Sequence, residues 1–256
     1  MAISAQQLEN QQVVDNSLQI VVPIYNEGEN ARILYRALVQ ALDGSSVSFS
    51  KLRFVYDIDN DTTLPVIADI AKTDPRVVAD KNLFGRGVVN ALRWGFSQST
   101  DGPVLVMMGD NSDKLSIIPE MVETWQKGAT IVSPSRYMKG GRQHGGGLVK
   151  SSMSRVAGVS LRILGFPTSD PTNNFKLYDG QWLSKQKIES VGGFEIALEL
   201  CAKAFKQNRE IKQLPTEWFD RTAGESNFRL WKWLPHYLKW YFQALGSIIS
   251  KKITTK

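Results

Sequence analysis

The sequence has very few of the side chains that bind zinc or form disulfides. Its 256 residues include one cysteine, Cys201, and two histidines, His144 and His236. A single cysteine has no partner for an internal disulfide, which is typical of a reducing compartment. A zinc site of cysteines and histidines is therefore practically excluded. Any bound metal must be one that carboxylates prefer, such as Mg²⁺, Mn²⁺ or Ca²⁺.

Long apolar runs are also absent. No segment reaches the roughly 18 consecutive apolar residues that span a bilayer. Residues 1–17 are polar and glutamine-rich without a recognisable signal peptide, so we expect a flexible leader there. The composition, 42% hydrophobic and 22% charged, is that of an ordinary globular domain. The net charge of +6 favours anionic partners such as phosphorylated metabolites, nucleic acid or an acidic membrane surface.

The first half of the sequence alternates between apolar strands and amphipathic helices. Strands are predicted at Leu18–Asn26, Leu52–Asp59 and Pro103–Asp110, with helical periodicity between them. This alternation predicts an α/β fold with a mostly parallel sheet and helices on both faces. The second half is less regular, with a predicted strand at Ala129–Tyr137, a glycine-rich loop and a helix over about Ser151–Leu164. Without an internal repeat or linker, one folded domain is expected.

Acidic side chains follow two of the predicted strands. They are Asp57, Asp59 and Asp61 after the second strand, and Asp110 and Asp113 after a later one. Parallel sheets bind ligands beyond the carboxyl ends of their strands. Carboxylates this close together are unfavourable unless a cation, hydrogen-bond donors or solvent separates their charges. We interpret this edge as a candidate site; the alternatives are a helix cap at Asp61 and a solvated turn at 107–113.

Two further segments combine polar side chains with turn-forming residues. Where the first strand ends, Asn26 and Glu27 are placed either to contact a nucleotide or simply to cap the following helix. The segment Ser135–Gly147 contains Arg136 and other cations, which suit phosphate oxygens. Its glycines allow a loop to close over a ligand. The alternative for this segment is an ordinary basic surface loop.

Six segments, taken in order and spacing, carry a resemblance to a known family. They are VVPIYNEGEN, FVYDIDNDTT, VMMGDNSD, SPSRYMKGG, DPTNNFKLY and WFDRTAGESNF. Together they resemble the family 2 glycosyltransferases of GT-A fold, and among these the dolichyl- and polyprenyl-phosphate sugar synthases typified by dolichol-phosphate mannose synthase. The similarity covers roughly residues 18–230. It implies the nucleotide-diphospho-sugar transferase architecture, a Rossmann-like and mostly parallel sheet.

The resemblance also implies roles for individual residues. The family's nucleotide-binding positions correspond here to Pro23, Tyr25, Glu27, Asp57, Gly85 and Arg86. Its metal motif, commonly Asp-x-Asp, has Met108 at the first position. The implied Mg²⁺ or Mn²⁺ site consists either of Asp110 with Asp113 as the substitute carboxylate, or of Asp110 and the donor diphosphate alone. Its phosphate-handling arginines correspond to Arg136 and Arg221, which together with Asp110 are the implied catalytic residues.

The implied activity is that of an inverting glycosyltransferase. It would move a hexose from a GDP- or UDP-linked donor to a polyprenyl or dolichyl phosphate or another membrane-proximal acceptor. A phosphate acceptor is already anionic and has less need of a dedicated base than a sugar hydroxyl, for which Asp170 and Glu199 are candidate bases. A non-catalytic nucleotide-sugar or lipid-binding module is the other alternative, because Met108 interrupts the metal motif. We expect no nucleic-acid partner, since no nucleic-acid-binding module is recognisable.

The segment 229–256 differs from the predicted catalytic domain, 18–228, because it is basic, aromatic and free of acidic residues. As a helix it is predicted to have one apolar face, formed by Trp231, Leu234, Leu238, Tyr241, Leu245, Ile248 and Ile249. Tryptophan, tyrosine and lysine favour the headgroup region of a bilayer. We therefore expect a cytoplasmic protein associated peripherally with the cytoplasmic face of a membrane. The alternative is a C-terminal helix packed on the domain.

Overall fold

A seven-stranded sheet forms the centre of the protein. The computed structural model describes residues 17–220 and 230–254. The strands are β1 (Leu18–Ile24), β2 (Phe49–Tyr56), β3 (Val77–Lys81), β4 (Pro103–Val106), β5 (Ile131–Ser135), β6 (Arg142–His144), β7 (Lys176–Asp179), β8 (Ile211–Pro215) and β9 (Glu217–Phe219). The sheet order is β3-β2-β1-β4-β7-β5-β8, with β7 antiparallel to β4 and β5 and the other pairs parallel. Strands β6 and β9 form a separate parallel pair.

Helices cover both faces of this sheet. They are α1 (Asn30–Leu42), α2 (Leu64–Ala71), α3 (Val88–Ser97), α4 (Ile118–Gln126), α5 (Leu148–Leu164), α6 (Gly180–Leu183), α7 (Ile196–Lys206) and α8 (Leu230–Thr254). Helices α1, α2 and α3 each connect two parallel strands, which is the arrangement expected from the alternating sequence pattern. The α/β prediction, with a mostly parallel sheet, is confirmed.

Strand β1 separates two hydrophobic cores. Its side chains alternate between the faces of the sheet, so Leu18, Ile20 and Val22 join one core and Val21 joins the other. The first core lies under α1, α2 and α4. The second lies under α3, α5, α7 and α8 and includes Trp240, which is almost completely buried. Because both faces are covered, β1 consists almost entirely of apolar residues.

Strand β7 is not among the strands that the sequence predicts. Its four residues form a largely buried strand in which Lys176 pairs with Val106 of β4, and Tyr178 pairs with Ile131 of β5. The polar residues before the strand, SDPTNN at 169–174, are typical of turns, and for this reason the sequence pattern does not indicate a strand here. Since β7 is antiparallel, its first residues lie at the edge where the neighbouring parallel strands end. The short strands β6, β8 and β9 were not predicted either.

Helix α8 is packed on the domain. Trp240, Ala244 and Ile248 of this helix are buried in the second core, against α7 and α5. The apolar face predicted for this helix is wrong in detail, because Leu238 and Ile249, assigned to the same face as Ile248, are exposed. Because α8 packs against both α7 and α5, its buried side chains do not coincide with the single apolar stripe that the sequence pattern predicts. Among residues 17–220 and 230–254, no helix combines the length and hydropathy needed to cross a bilayer.

We predict opposite effects for alanine at two helical glycines. A Cβ at Gly158 in α5 would lie 2.1 Å from the carbonyl oxygen of Ser169, a backbone atom that cannot move aside. Gly158→Ala should therefore lower the free energy of unfolding by about 1–3 kcal/mol. A Cβ at Gly246 in α8 meets nothing within 4 Å, so Gly246→Ala should raise it by about 0.5–1 kcal/mol. Urea denaturation measures both, and equal effects would contradict this packing.

Candidate active site at the carboxyl edge of the sheet

Asp61 connects the loops that follow β1 and β2. Its Oδ2 accepts a hydrogen bond from the Asn26 backbone N–H at 2.9 Å, and its Oδ1 accepts from the Thr63 backbone N–H at 2.8 Å. The Asn26 side chain in turn accepts from the Thr62 N–H at 3.1 Å. Asn26 therefore does not cap α1, which has Glu29 at that position. Asp61 is buried and stabilises the loops.

Glu27 brings the end of β1 next to the end of β4. Its side chain lies against the turn after β4, since a Cβ at Gly109 would be 3.1 Å from Glu27 Cγ. Its Oε2 accepts from Asn30 Nδ2 at 3.3 Å. Of the other residues assigned to nucleotide binding, Pro23 is buried within β1 and Tyr25 is half exposed. Glu27 and Tyr25 thus remain candidate ligand contacts at this edge, together with the exposed Asn26.

Asp57 holds the turn that precedes α3. Its Oδ1 accepts from Asn82 Nδ2 at 2.8 Å and its Oδ2 accepts from the Gly87 N–H at 2.7 Å. Asn82 also donates to the Gly85 carbonyl at 2.6 Å. Gly85 and Gly87 have positive φ angles, 91° and 112°, which other residues rarely adopt. The turn therefore presents Arg86 at the surface beside Asp57, and Asn82 is a contributor that the sequence pattern did not identify.

Asp59 has a different environment from the other acidic residues. It is well exposed and forms an ion pair with Lys81 at 2.6 Å. Exposed pairs of this kind contribute little to stability and are screened by salt. The three carboxylates of the cluster Asp57–Asp61 thus have different roles. Asp57 holds a turn, Asp59 lies at the surface, and Asp61 is buried and connects two loops.

Asp110 and Asp113 lie together in the turn after β4. Asp110 Oδ1 accepts from the backbone N–H and the Oγ of Ser112, at 3.2 and 2.6 Å. The backbone of Asp113 pairs with Trp218 of β9. Burial, followed by the negative charge of Asp110, raises the pKa of Asp113 to about 7. Two carboxylates that repel each other in this way suit a divalent cation between them.

The protein supplies only part of such a metal site. In the described parts of the chain, no group of three or more His, Cys, Asp or Glu side chains is arranged to hold a metal ion. Asp110 and Asp113 therefore fit a hard cation whose remaining ligands are phosphate oxygens and water, as is usual for Mg²⁺. The ion would be held jointly by the protein and a diphosphate.

Arg136, directly after β5, is bound to a protein carboxylate. Its Nε donates to Asp170 Oδ2 at 2.7 Å, and its Nη2 donates to Asp170 Oδ1 at 2.9 Å. Asp170 is completely buried and lies just before β7. Asp170 therefore occupies the Nε–Nη2 edge of the Arg136 guanidinium, with which arginine would otherwise make two parallel hydrogen bonds to a phosphate. Nη1 is the part of the guanidinium that Asp170 leaves for a ligand, and the side chain is 12% exposed.

Both carboxylates considered as a general base are occupied. Asp170 binds Arg136, and Glu199 accepts from the backbone N–H groups of Glu189 and Ser190 at 2.6 and 2.7 Å and pairs with Lys203 at 2.7 Å. Glu199 is also fully buried. These contacts give both residues structural roles.

Glu195, at the start of α7, is a carboxylate that the sequence reasoning missed. It is completely buried. Its Oε1 accepts from the Val191 and Gly192 N–H groups at 3.1 and 2.7 Å, whereas Oε2 has no hydrogen-bond partner among the described residues. The preceding residue is tied to the sheet edge, since Asn174 Nδ2 donates to the Phe194 carbonyl at 2.9 Å. In the sequence, an acidic residue at the start of a helix is fully explained by its favourable interaction with the helix dipole, so Glu195 gives no sign of a functional role.

The glycine-rich loop after Arg136 is attached to the segment around β9. Glu217 accepts from Lys114 at 2.6 Å and from His144 Nε2 at 3.1 Å, and the Gly146 N–H donates to Asp220 at 3.0 Å. These contacts place the loop beside the Asp110–Asp113 turn. Arg221, which was assigned to phosphate binding, lies outside the described residues.

Comparison with known proteins identifies related sequences and folds. Residues 19–185 match the family described as Glycosyl transferase family 2. A dolichol-phosphate mannosyltransferase of Pyrococcus furiosus is 25% identical over 237 residues, which is 87% of this chain and 64% of the relative. A prophage bactoprenol glucosyl transferase homolog of Escherichia coli is 29% identical over 119 residues, 46% of this chain and 39% of the relative. The chain thus spans less than two thirds of either relative.

Solved structures share the fold. Glucosyl-3-phosphoglycerate synthase from Mycobacterium tuberculosis, in complex with Mn²⁺, UDP-glucose and phosphoglyceric acid, aligns with a TM-score of 0.61 at 16% identity, covering 98% of this chain and 84% of that one. Its complex with Mn²⁺, UDP and glucosyl-3-phosphoglycerate gives a TM-score of 0.60. At this identity the likeness establishes the fold alone. The GT-A architecture expected from the sequence is confirmed, as is the resemblance to family 2.

The raised pKa of Asp113 predicts a pH-dependent stability in the absence of divalent cations. A carboxyl group that binds its proton more tightly when folded stabilises the protein at low pH, and this contribution is lost as the pH rises from about 4 to about 7. Asp113→Asn should therefore stabilise the protein by about 1–4 kcal/mol at pH 8 and much less at pH 5. Urea unfolding at both values tests this, with exposed Asp59→Asn as control. An equal gain at both pH values would contradict it.

Proposed function

The chain belongs to glycosyl transferase family 2, and from this premise we propose that it transfers a hexose from a nucleotide-diphospho-sugar to a polyprenyl phosphate, with inversion at the anomeric carbon. The observation that carries the proposal is the meeting of Glu27, Asp110 and Asp113 at one sheet edge, beside the turn held by Asp57. Sheets of this type bind nucleotides at that edge.

The donor's diphosphate is assigned to the Asp110–Asp113 turn. These two carboxylates would hold Mg²⁺ or Mn²⁺, which supplies the positive charge that a leaving nucleoside diphosphate requires. We assign the nucleoside to the surface formed by Asp57, the Gly85–Gly87 turn, Glu27 and Tyr25. The proposed donors carry GDP or UDP as the leaving nucleoside diphosphate. The Mycobacterium tuberculosis structures with Mn²⁺ and UDP on the same fold support this assignment.

A polyprenyl phosphate is the acceptor proposed. The relatives are named for dolichol phosphate and bactoprenol. A phosphate monoester is already anionic near neutral pH, so its oxygen attacks the anomeric carbon, the bond to the diphosphate breaks, and no base has to remove a proton. Arg136, with its Nη1 available and its orientation fixed by Asp170, is suited to bind the acceptor or donor phosphate. Such an acceptor resides in a bilayer, so peripheral association with the cytoplasmic face of a membrane is part of the proposal.

Transfer to a sugar hydroxyl is a second candidate, because of Glu195. The unpartnered Oε2 of this buried carboxylate is able to accept a proton or a hydroxyl hydrogen bond. Asp170 and Glu199 do not offer this, since the protein occupies both. The choice between the two acceptor classes therefore depends on whether Glu195 is needed for transfer.

We predict that Asp110 carries the metal dependence of donor binding. Asp110→Asn should remove the Mn²⁺-dependent part of the affinity for UDP or GDP, a loss of about tenfold or more, since one of two carboxylate ligands is lost. Asp59→Asn is the matched control, because this residue follows the same sheet edge but pairs with Lys81. Isothermal titration with and without Mn²⁺ measures the effect. Retained metal dependence in Asp110→Asn would refute the assignment.

An acceptor panel separates the candidate functions. With UDP- or GDP-hexose and Mn²⁺, we expect transfer to a short-chain polyprenyl phosphate and none to the matching alcohol. Glu195→Gln should leave this transfer within about threefold, because no proton is removed. Transfer to sugar hydroxyls alone, abolished in Glu195→Gln, would instead establish the second candidate. Nucleotide binding without turnover on any acceptor would indicate a non-catalytic binding module.

A further inference from the structure

Helix α8 has an apolar stripe on the side that faces away from the core. Leu238, Phe242, Ile249 and Ile253 are all exposed, with Phe242 at 60% and Ile253 at 71%. Their spacing of four, seven and four residues places them on one side of the helix. The buried residues of the same helix, such as Trp240, lie on another side. The stripe therefore remains after packing on the domain is complete.

Helix α5 adds a second exposed stripe beside the first. Val156 and Ile163 are 68% and 79% exposed and lie seven residues apart, hence on the same side of α5. The two helices are in contact, and Ser160 Oγ lies 3.0 Å from the hydroxyl oxygen of Tyr241 in α8. Exposed apolar side chains thus flank this contact on both helices. We call them together the α5–α8 surface.

The charge on these two helices has one sign. All 25 acidic residues of the chain lie outside α5 and α8, whereas the two helices contain seven lysines and arginines. The cations are Lys150, Arg155 and Arg162 in α5, and Lys232, Lys239, Lys251 and Lys252 in α8. Helices that combine exposed apolar side chains with a purely positive charge are complementary to a bilayer with anionic headgroups.

We propose that the α5–α8 surface binds an anionic lipid bilayer, with both helices lying in the headgroup region. The inference rests on the proposed function only in that a polyprenyl phosphate acceptor resides in such a bilayer. A second copy of the chain is a poorer occupant, because a symmetric dimer would bring two faces of the same positive charge together. The proposal assigns α5, and not the C-terminal helix alone, to membrane contact.

The same helix α8 also borders the candidate active site. A Cβ at Gly193 would lie 3.0 Å from the Trp233 ring, and one at Gly192 would lie 2.6 Å from His236. These glycines let α8 approach the loop that ends in Glu195. With a helix diameter of about 10–12 Å, the bilayer-facing stripe and the loop beside the site are separated by little more than one helix. This arrangement suits an enzyme that receives its acceptor from the membrane.

Vesicle binding tests the surface independently of catalysis. Co-sedimentation uses vesicles of phosphatidylcholine with or without phosphatidylglycerol, and no polyprenyl phosphate. We expect binding that requires phosphatidylglycerol and weakens with salt. Two double variants, Val156→Ser with Ile163→Ser and Phe242→Ser with Ile249→Ser, should each lower the partition coefficient by about tenfold or more. All four residues are exposed, so the melting temperature should remain unchanged.

The matched control is Ile33→Ser with Val39→Ser on α1, two exposed apolar residues on a different helix. This variant should bind vesicles like the unaltered protein. Unchanged binding in the α5 variant, or no binding by the unaltered protein, would overturn the proposal. A dimer in analytical ultracentrifugation that the same variants dissociate would assign the surface to a second copy. Transfer to a short-chain, water-soluble acceptor should persist in both variants, so its absence in the unaltered protein would refute the proposed function alone.

Discussion

The reversed direction of β7 is the constraint on which the candidate site depends. A parallel strand at this position would place its first residues at the opposite edge of the sheet. Because β7 is antiparallel to β4 and β5, Asp170 and Asn174 arrive at the edge where the Asp110–Asp113 turn begins. Asp170 then meets Arg136, which follows β5, and Asn174 holds the loop of Glu195. One strand reversal thus assembles side chains from distant parts of the chain.

Buried ionic side chains beneath this edge hold the Asp170 loop in one arrangement. Lys176 is completely buried, with its Nζ donating to Ser133 Oγ at 2.9 Å and to the Asp170 carbonyl at 3.0 Å. Burial lowers the pKa of this lysine. For Arg136, the Asp170 carboxylate outweighs the opposing effect of burial and raises the pKa. Breaking one partner of such a pair typically costs about 3–5 kcal/mol, so the Asp170 loop has little freedom to rearrange.

Local signals in the sequence were sufficient for the first half of the fold. Strands β1, β2 and β4 and their helices follow from apolar periodicity, and the acidic residues that follow β2 and β4 lie at one edge of the sheet, as the alternating pattern predicts. The position of β7 was not predictable in the same way, because four strand residues follow strong turn signals. The roles of individual carboxylates depend on partners far along the chain. Asp61 binds Asn26, and Asp170 binds Arg136, at separations of 35 and 34 residues.

The burial of Trp240, Ala244 and Ile248 has a consequence for how the chain folds during synthesis. These residues belong to a core that also contains residues of β1 and β4, yet they follow both strands far along the chain. Until α8 emerges, the apolar surface of α7 and α5 that it covers faces water. The second core is therefore completed only after α8 has been translated, and chaperones or a nearby bilayer have until then an uncovered face to bind.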